Sequence, residues 1–83
     1  MNKNIKKLLS LGFEEVSEND FLRSLDYWYI YVKIYHDKIT IETFNHYDNK
    51  TTFHVYTNFA PVMRKINYIL KKYSYENTNK KIN

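Results

Sequence analysis

The three histidines come first, because imidazole both ligates metals and moves protons near neutral pH. His36 and His46 bracket a segment that reads as one strand. Ten residues at about 3.3 Å each place them ~30 Å apart, too far for one ion. His54 is different: the predicted pairing sets it against Glu42, with Tyr31 on the other side of that carboxylate. Such a Tyr-Glu-His row resembles an oriented base. On an open sheet, however, water screens the row and no pocket orients a substrate, so an ordinary cross-strand pair is expected. The chain has no cysteine, which removes disulfides and thiolate zinc sites, and its single glycine cannot build a phosphate loop. No serine or threonine nucleophile has a plausible base. The expectation is a protein without catalytic residues, metal or cofactor.

The elements that position these side chains follow from two periodicities. Residues 2–11 read as a short amphipathic helix, with Ile5, Leu8 and Leu9 on one face and Lys3, Lys6 and Lys7 on the other. Gly12 then sits where a helix ends with positive φ, and Phe13 folds back as the apolar partner of that cap. Residues 13–17 suggest a short edge strand, whereas "ENDFLRSL" (18–25) reads as a polar connector. From Tyr27 to Thr57 the period is two. A two-residue turn at His36-Asp37 sets Ile34 opposite Ile39 and Val32 opposite Ile41. A three-residue loop, Tyr47-Asp48-Asn49, then sets His46 against Lys50, Thr43 against Phe53 and Ile41 against Val55, keeping every aliphatic on one side. A final helix opens at Asn58, tolerates Pro61 in its first turn, and aligns Val62, Ile66, Ile69, Leu70 and Tyr73 on one stripe. The predicted class is α+β: an antiparallel meander of three to four strands with both helices on one face, in a single domain over 1–75 and a flexible polar tail over 76–83.

Two helices on the aliphatic face leave the other face bare. It is expected to display Tyr29, Tyr31, Lys33, Tyr35, Phe44, His54 and Tyr56, a concentration of rings that marks an interaction site on a small domain. Tyrosine suits contact surfaces because its ring supplies area at low rotamer cost while its hydroxyl keeps the unbound surface wet. Cross-strand aromatic pairs also stabilise a sheet by about 0.2–1 kcal/mol each, so scaffolding alone is the simpler competing account. The leading expectation is a face that binds a protein partner. A homodimer is a further reading.

Thirteen basic residues against nine acidic give a formal charge of +4. Much of the basic charge falls on the two helices, and Arg64, Lys65, Lys71 and Lys72 are the candidate contacts if the partner is nucleic acid. The order helix, three strands, helix resembles the double-stranded-RNA-binding domain, whose second helix opens with phosphate-binding lysines. Here "PVMRKIN" offers Arg64 and Lys65 at that place, and the glycine-proline loop of that family is missing. The apolar run near the N-terminus is too short for a signal peptide, and no stretch approaches the roughly 20 apolar residues of a membrane helix, so a soluble cytoplasmic protein is expected. The bias toward asparagine, lysine, isoleucine and tyrosine, with openings such as "IKKLLSLGFEEV", resembles small accessory proteins of phages and mobile elements. That resemblance implies a non-catalytic inhibitor of a host defence complex, of the anti-CRISPR type, and assigns no residue a role.

Overall fold

The computed structural model describes residues 3–82, with side chains described from Lys3 to Lys72. Backbone alternation organises it: helix α1 (Lys3–Ser10), strands β1 (Glu14–Ser17), β2 (Asp20–Ser24), β3 (Trp28–Ile34), β4 (Ile39–Asn45) and β5 (Lys50–Tyr56), then helix α2 (Phe59–Ile82). The five strands form one antiparallel meander in the order β1-β2-β3-β4-β5. The α+β class is as expected, but the sheet has five strands rather than three to four. The "polar connector" supplies the additional one. In β2, Phe21 pairs with Val32 and is fully buried, while Arg23 pairs with Ile30 on the same side. A guanidinium on the core side breaks the apolar alternation that would have announced a strand. The five-strand order also departs from the double-stranded-RNA-binding topology.

Helix α1 ends as its sequence dictates. The Phe13 amide donates to the Leu8 carbonyl at 3.1 Å and the Gly12 amide to the Leu9 carbonyl at 3.0 Å, with Gly12 at φ +91°. This is the Schellman arrangement, and it brings Phe13 onto Leu8 inside the core. Leu9, expected on the apolar face, is exposed.

The core lies between the helices and one face of the sheet. Ile30 and Val32 of β3, Ile41 of β4, Phe21 of β2, Leu8 of α1 and Val62 and Ile66 of α2 are fully buried in one cluster. Each such side chain contributes about 1.5–3 kcal/mol by leaving water. The β3–β4 hairpin has the expected register: the Tyr35 amide donates to the Lys38 carbonyl, Ile34 pairs with Ile39 and Val32 with Ile41. In α2 the expected stripe is buried at Val62, Ile66 and Ile69 and half-buried at Leu70, and the Tyr73 side chain lies outside the described residues. The helical backbone of α2 runs to Ile82; the side chains of the expected tail, 76–83, are likewise outside them.

The β4–β5 register differs from expectation by one residue. Asn45 pairs with Lys50, Thr43 with Thr52 and Ile41 with His54, around a four-residue loop from His46 to Asn49. Side-chain acceptors build that loop. The Tyr47 amide donates to Asn45 Oδ1 at 2.8 Å and the Lys50 amide to Asp48 Oδ1 at 3.1 Å, while Asn49 adopts φ 59°. His46 donates its amide back to the Tyr27 carbonyl of the neighbouring chain segment. A shift of one residue turns over every side chain of a strand. Phe53 and Val55, expected in the core, therefore lie on the face opposite the helices. His54 and Tyr56, expected on the bare face, point to the helix side, where the hydroxyls of Thr43 and Thr52 also bond to each other.

The two sheet edges are unlike. β1 is four residues long, carries Glu14 and Glu15, and has a bulge between Glu15 and Ser17. β5 is a full seven residues with no proline and no irregularity against β4. Hydrogen-bonded pairs alternate from Tyr35–Lys38, so the backbone groups of Thr51, Phe53 and Val55 face away from the sheet.

Two substitutions check this arrangement. Gly12→Ala forces a Cβ onto φ +91° and against the Arg23 guanidinium, and should lower stability by about 1–2 kcal/mol in chemical denaturation. Phe53→Ser should change stability by no more than about 0.5 kcal/mol, whereas Ile41→Ala should cost about 2–5 kcal/mol. A Phe53→Ser loss equal to that of Ile41→Ala would contradict the observed register.

Candidate interaction surface

The face opposite the helices is assembled by three strands in register. Tyr29 pairs with Phe44, Tyr31 with Glu42 and Lys33 with Thr40; Glu42 and Phe44 then pair with Phe53 and Thr51. From β2, Leu22 pairs with Tyr31 and Asp20 with Lys33, and Glu14 of β1 pairs with Leu22. Phe53 is 60% exposed, Val55 54% and Tyr35 42%. Large apolar side chains left so open on a folded domain have their free surface in water, a standing cost that contact with a partner relieves.

Three ring clusters organise this surface. At one end Tyr29 stacks on Phe44 at 5.7 Å, and His46 meets the Phe44 ring edge-on at 4.6 Å. The Tyr29 hydroxyl donates to Glu42 Oε1 at 3.2 Å, which fixes both side chains. At the other end the ammonium groups of Lys33 and Lys38 lie 5.5 and 5.0 Å from the centre of the Tyr35 ring, a cation–π arrangement that keeps the lysines extended over the face. Between them a shallow hollow of about 300 Å³ is lined by Tyr31, Lys33, Tyr35, Thr40, Glu42 and Phe53. Around the loop, Tyr27 and Tyr47 bring their rings to 5.8 Å.

The local electrostatics bind the hydroxyls to the acids. Asp20 accepts from Ser17 Oγ at 2.7 Å, and this bond, with further help from Tyr31 and Lys33, holds its carboxyl below the ordinary carboxylate value. Partial removal from water pushes the phenols of Tyr29 and Tyr31 upward, and the neighbouring Glu42 and Asp20, respectively, push them further. Both rings therefore stay neutral donors at any physiological pH.

The surface gathers five of the seven residues the sequence nominated: Tyr29, Tyr31, Lys33, Tyr35 and Phe44. His54 and Tyr56 are on the other side, their rings 6.4 Å apart, with Tyr56 packed against the core. The Tyr31-Glu42-His54 row is consequently not assembled: Phe53 stands where His54 was expected. Phe53, Val55, His46 and Leu22 belong to the surface and were missed. The signal that would have found the first two is the pair of acceptors Asn45 and Asp48, each able to bind the amide two residues ahead. Of the alternative nucleic-acid contacts, Arg64, Lys71 and Lys72 are exposed and Lys65 is half-buried, all on α2. Among the described residues, no cluster of His, Asp or Glu is arranged to hold a metal ion, and no helix is long and apolar enough to cross a membrane. Compared with protein-family models, curated proteins and solved structures, the chain shows no significant match to any of them.

The phenol environments make a titration test. In the unfolded chain Tyr29 and Tyr31 ionise at the ordinary value of 10.0, and in the folded protein above it. Their contribution to stability is thus complete below that value and is lost as pH rises through the folded values. Ultraviolet titration should show two phenols ionising late, absent in Tyr29→Phe plus Tyr31→Phe, and this variant should lose less stability than wild type between about pH 9 and about pH 11. Identical curves for the two proteins would refute the assignment.

Proposed function

We propose that the chain is a non-catalytic binding module whose open sheet face contacts a protein partner. The observation that carries this reading is the exposure of Phe53, Val55 and Tyr35 together on the side of the sheet away from both helices. The charges of that face favour protein over nucleic acid: Lys33 and Lys38 are matched by Glu14, Asp20 and Glu42, so a phosphate backbone would meet carboxylates at every step. Anchors of this kind, rigid rings ringed by paired polar groups, concentrate binding energy at a few positions. Tyr31, Tyr35, Phe44 and Phe53 are the anchors we assign, with Lys33 and Glu42 setting orientation. The sequence's likeness to phage accessory proteins makes a host defence complex, as protein or ribonucleoprotein, the first partner class to test, with the module acting as its inhibitor.

Capture from a host lysate, followed by titration of the captured partner in purified form, tests the reading. Tyr31→Ser plus Phe53→Ser should weaken binding by at least about tenfold while the thermal midpoint stays near that of wild type. Affinity should change little with salt, since few ions are released. A folded double variant that binds as wild type rejects this face. A doubled solution mass that the same two substitutions abolish would make the face a homodimer contact instead.

A further inference from the structure

Among the described residues, the helix side of the sheet is incompletely filled at the end where α2 passes β5. Two adjoining hollows of about 180 and 90 Å³ share Trp28, Thr43, Thr52 and Lys72. Their origin is the β4–β5 register. It turns Thr52 and Lys50 toward α2, where the expected pairing would have put Phe53, and two hydroxyls cannot close the seam that a phenyl ring would. Ile69 is the last buried residue of α2 among the described residues. Around it the helix contributes Lys65, Tyr68 and Lys72 as a wall, and Lys50 closes the opposite rim.

We propose that this groove binds a segment of single-stranded nucleic acid, with a base against Trp28 and flanking phosphates on Lys65, Lys72 and Lys50. Rings beside lysines are the combination that holds single strands, because any base stacks and any phosphate attracts an ammonium. Tyr68 is 59% exposed and has the Lys65 ammonium 5.4 Å from its ring centre, so ring and charge are presented together. The Trp28 indole nitrogen is buried with no hydrogen-bond partner among the described residues, although a tryptophan placed for packing alone would ordinarily reach one. At the mouth, Asn45 and Asp48 carry amide and carboxylate groups suited to a base edge. A duplex does not fit these observations: the hollows are small, about 180 and 90 Å³, and their lysines lie beside a ring and not along a wide flat surface. The open face described above differs in its charge: Glu14, Asp20 and Glu42 stand among its lysines, whereas this groove sets one carboxylate, Asp48, against Lys50, Lys65 and Lys72.

Trp28 is the only tryptophan in the chain, so its fluorescence reports on this groove alone. Oligothymidylate of about 12 nucleotides, within the usual span of single-strand sites, should quench it saturably at low salt. The logarithm of affinity should fall with the logarithm of salt concentration by about 0.7 per phosphate neutralised. Lys65→Gln plus Lys72→Gln, checked for folding by circular dichroism, should weaken binding by about tenfold and flatten the salt response. Tyr68→Ser, at an exposed position, should weaken it with the salt response intact. Tyr31→Ser plus Phe53→Ser should leave the quenching unchanged, which separates this site from the protein-binding face. No quenching, equal quenching in the double glutamine variant, or the same quenching by heparin, which carries charge without bases, would each overturn the proposal.

Discussion

Side chains on a strand alternate, so the number of residues in each hairpin loop decides which of them reach the helices and which reach water. Two loops in this chain carry that decision. The two-residue turn at His36-Asp37 stacks Ile34, Val32 and Ile30 with Ile39, Ile41 and Thr43, and thereby makes the seam on which both helices sit. The four-residue loop after Asn45 then gives β5 the opposite distribution: Thr52 and His54 face the helices while Phe53 and Val55 face outward. Three peptide amides, from His46, Tyr47 and Lys50, find acceptors in that loop geometry. An unpaired amide costs about as much as a lost hydrogen bond, so satisfying all three offsets part of the cost of exposing Phe53 and Val55.

The division of labour among strands follows. β2, β3 and β4 supply Phe21, Ile30, Val32 and Ile41, which the helices cover with Leu8, Val62, Ile66 and Ile69. β5 adds Tyr56 near its end and otherwise lends the sheet width rather than core. For a domain of this size the fully buried set is small, and total stability is expected near the lower end of about 5–15 kcal/mol. Under that constraint, apolar groups left outside are a real expense, and the rings of Tyr29 and Phe44, stacked and tied through Glu42, recover some of it.

Local signals in the sequence were read directly where one residue type permits one conformation. Gly12 followed by Phe13 specified the end of α1, and the turn at His36-Asp37 specified the first register, because each satisfied both backbone geometry and burial. Where those two demands disagree, the burial pattern alone misleads. Val55 opposite Ile41 and Phe53 opposite Thr43 satisfies the hydrophobic pattern, but leaves out Asn45 and Asp48, two short side chains that bind amides two residues on. Arg23 concealed β2 for a related reason. Its position opposite Ile30 is set by the pairing of Phe21 with Val32, a contact between distant residues that no local window contains. Thus the five surface residues contributed by β3 and β4 were recognisable, while those from β5 and β2 depended on pairings that only the folded sheet reveals.

The contrast between the two outer strands sets a limit on growth. A neighbouring chain seeking backbone partners finds amides and carbonyls on offer along β5, but meets a kinked, doubly acidic rim at β1. Two molecules joined along β5 would consume both hospitable borders at once and present only the inhospitable ones outward. Assembly by strand addition along β5 would therefore end at a pair rather than grow into a fibre.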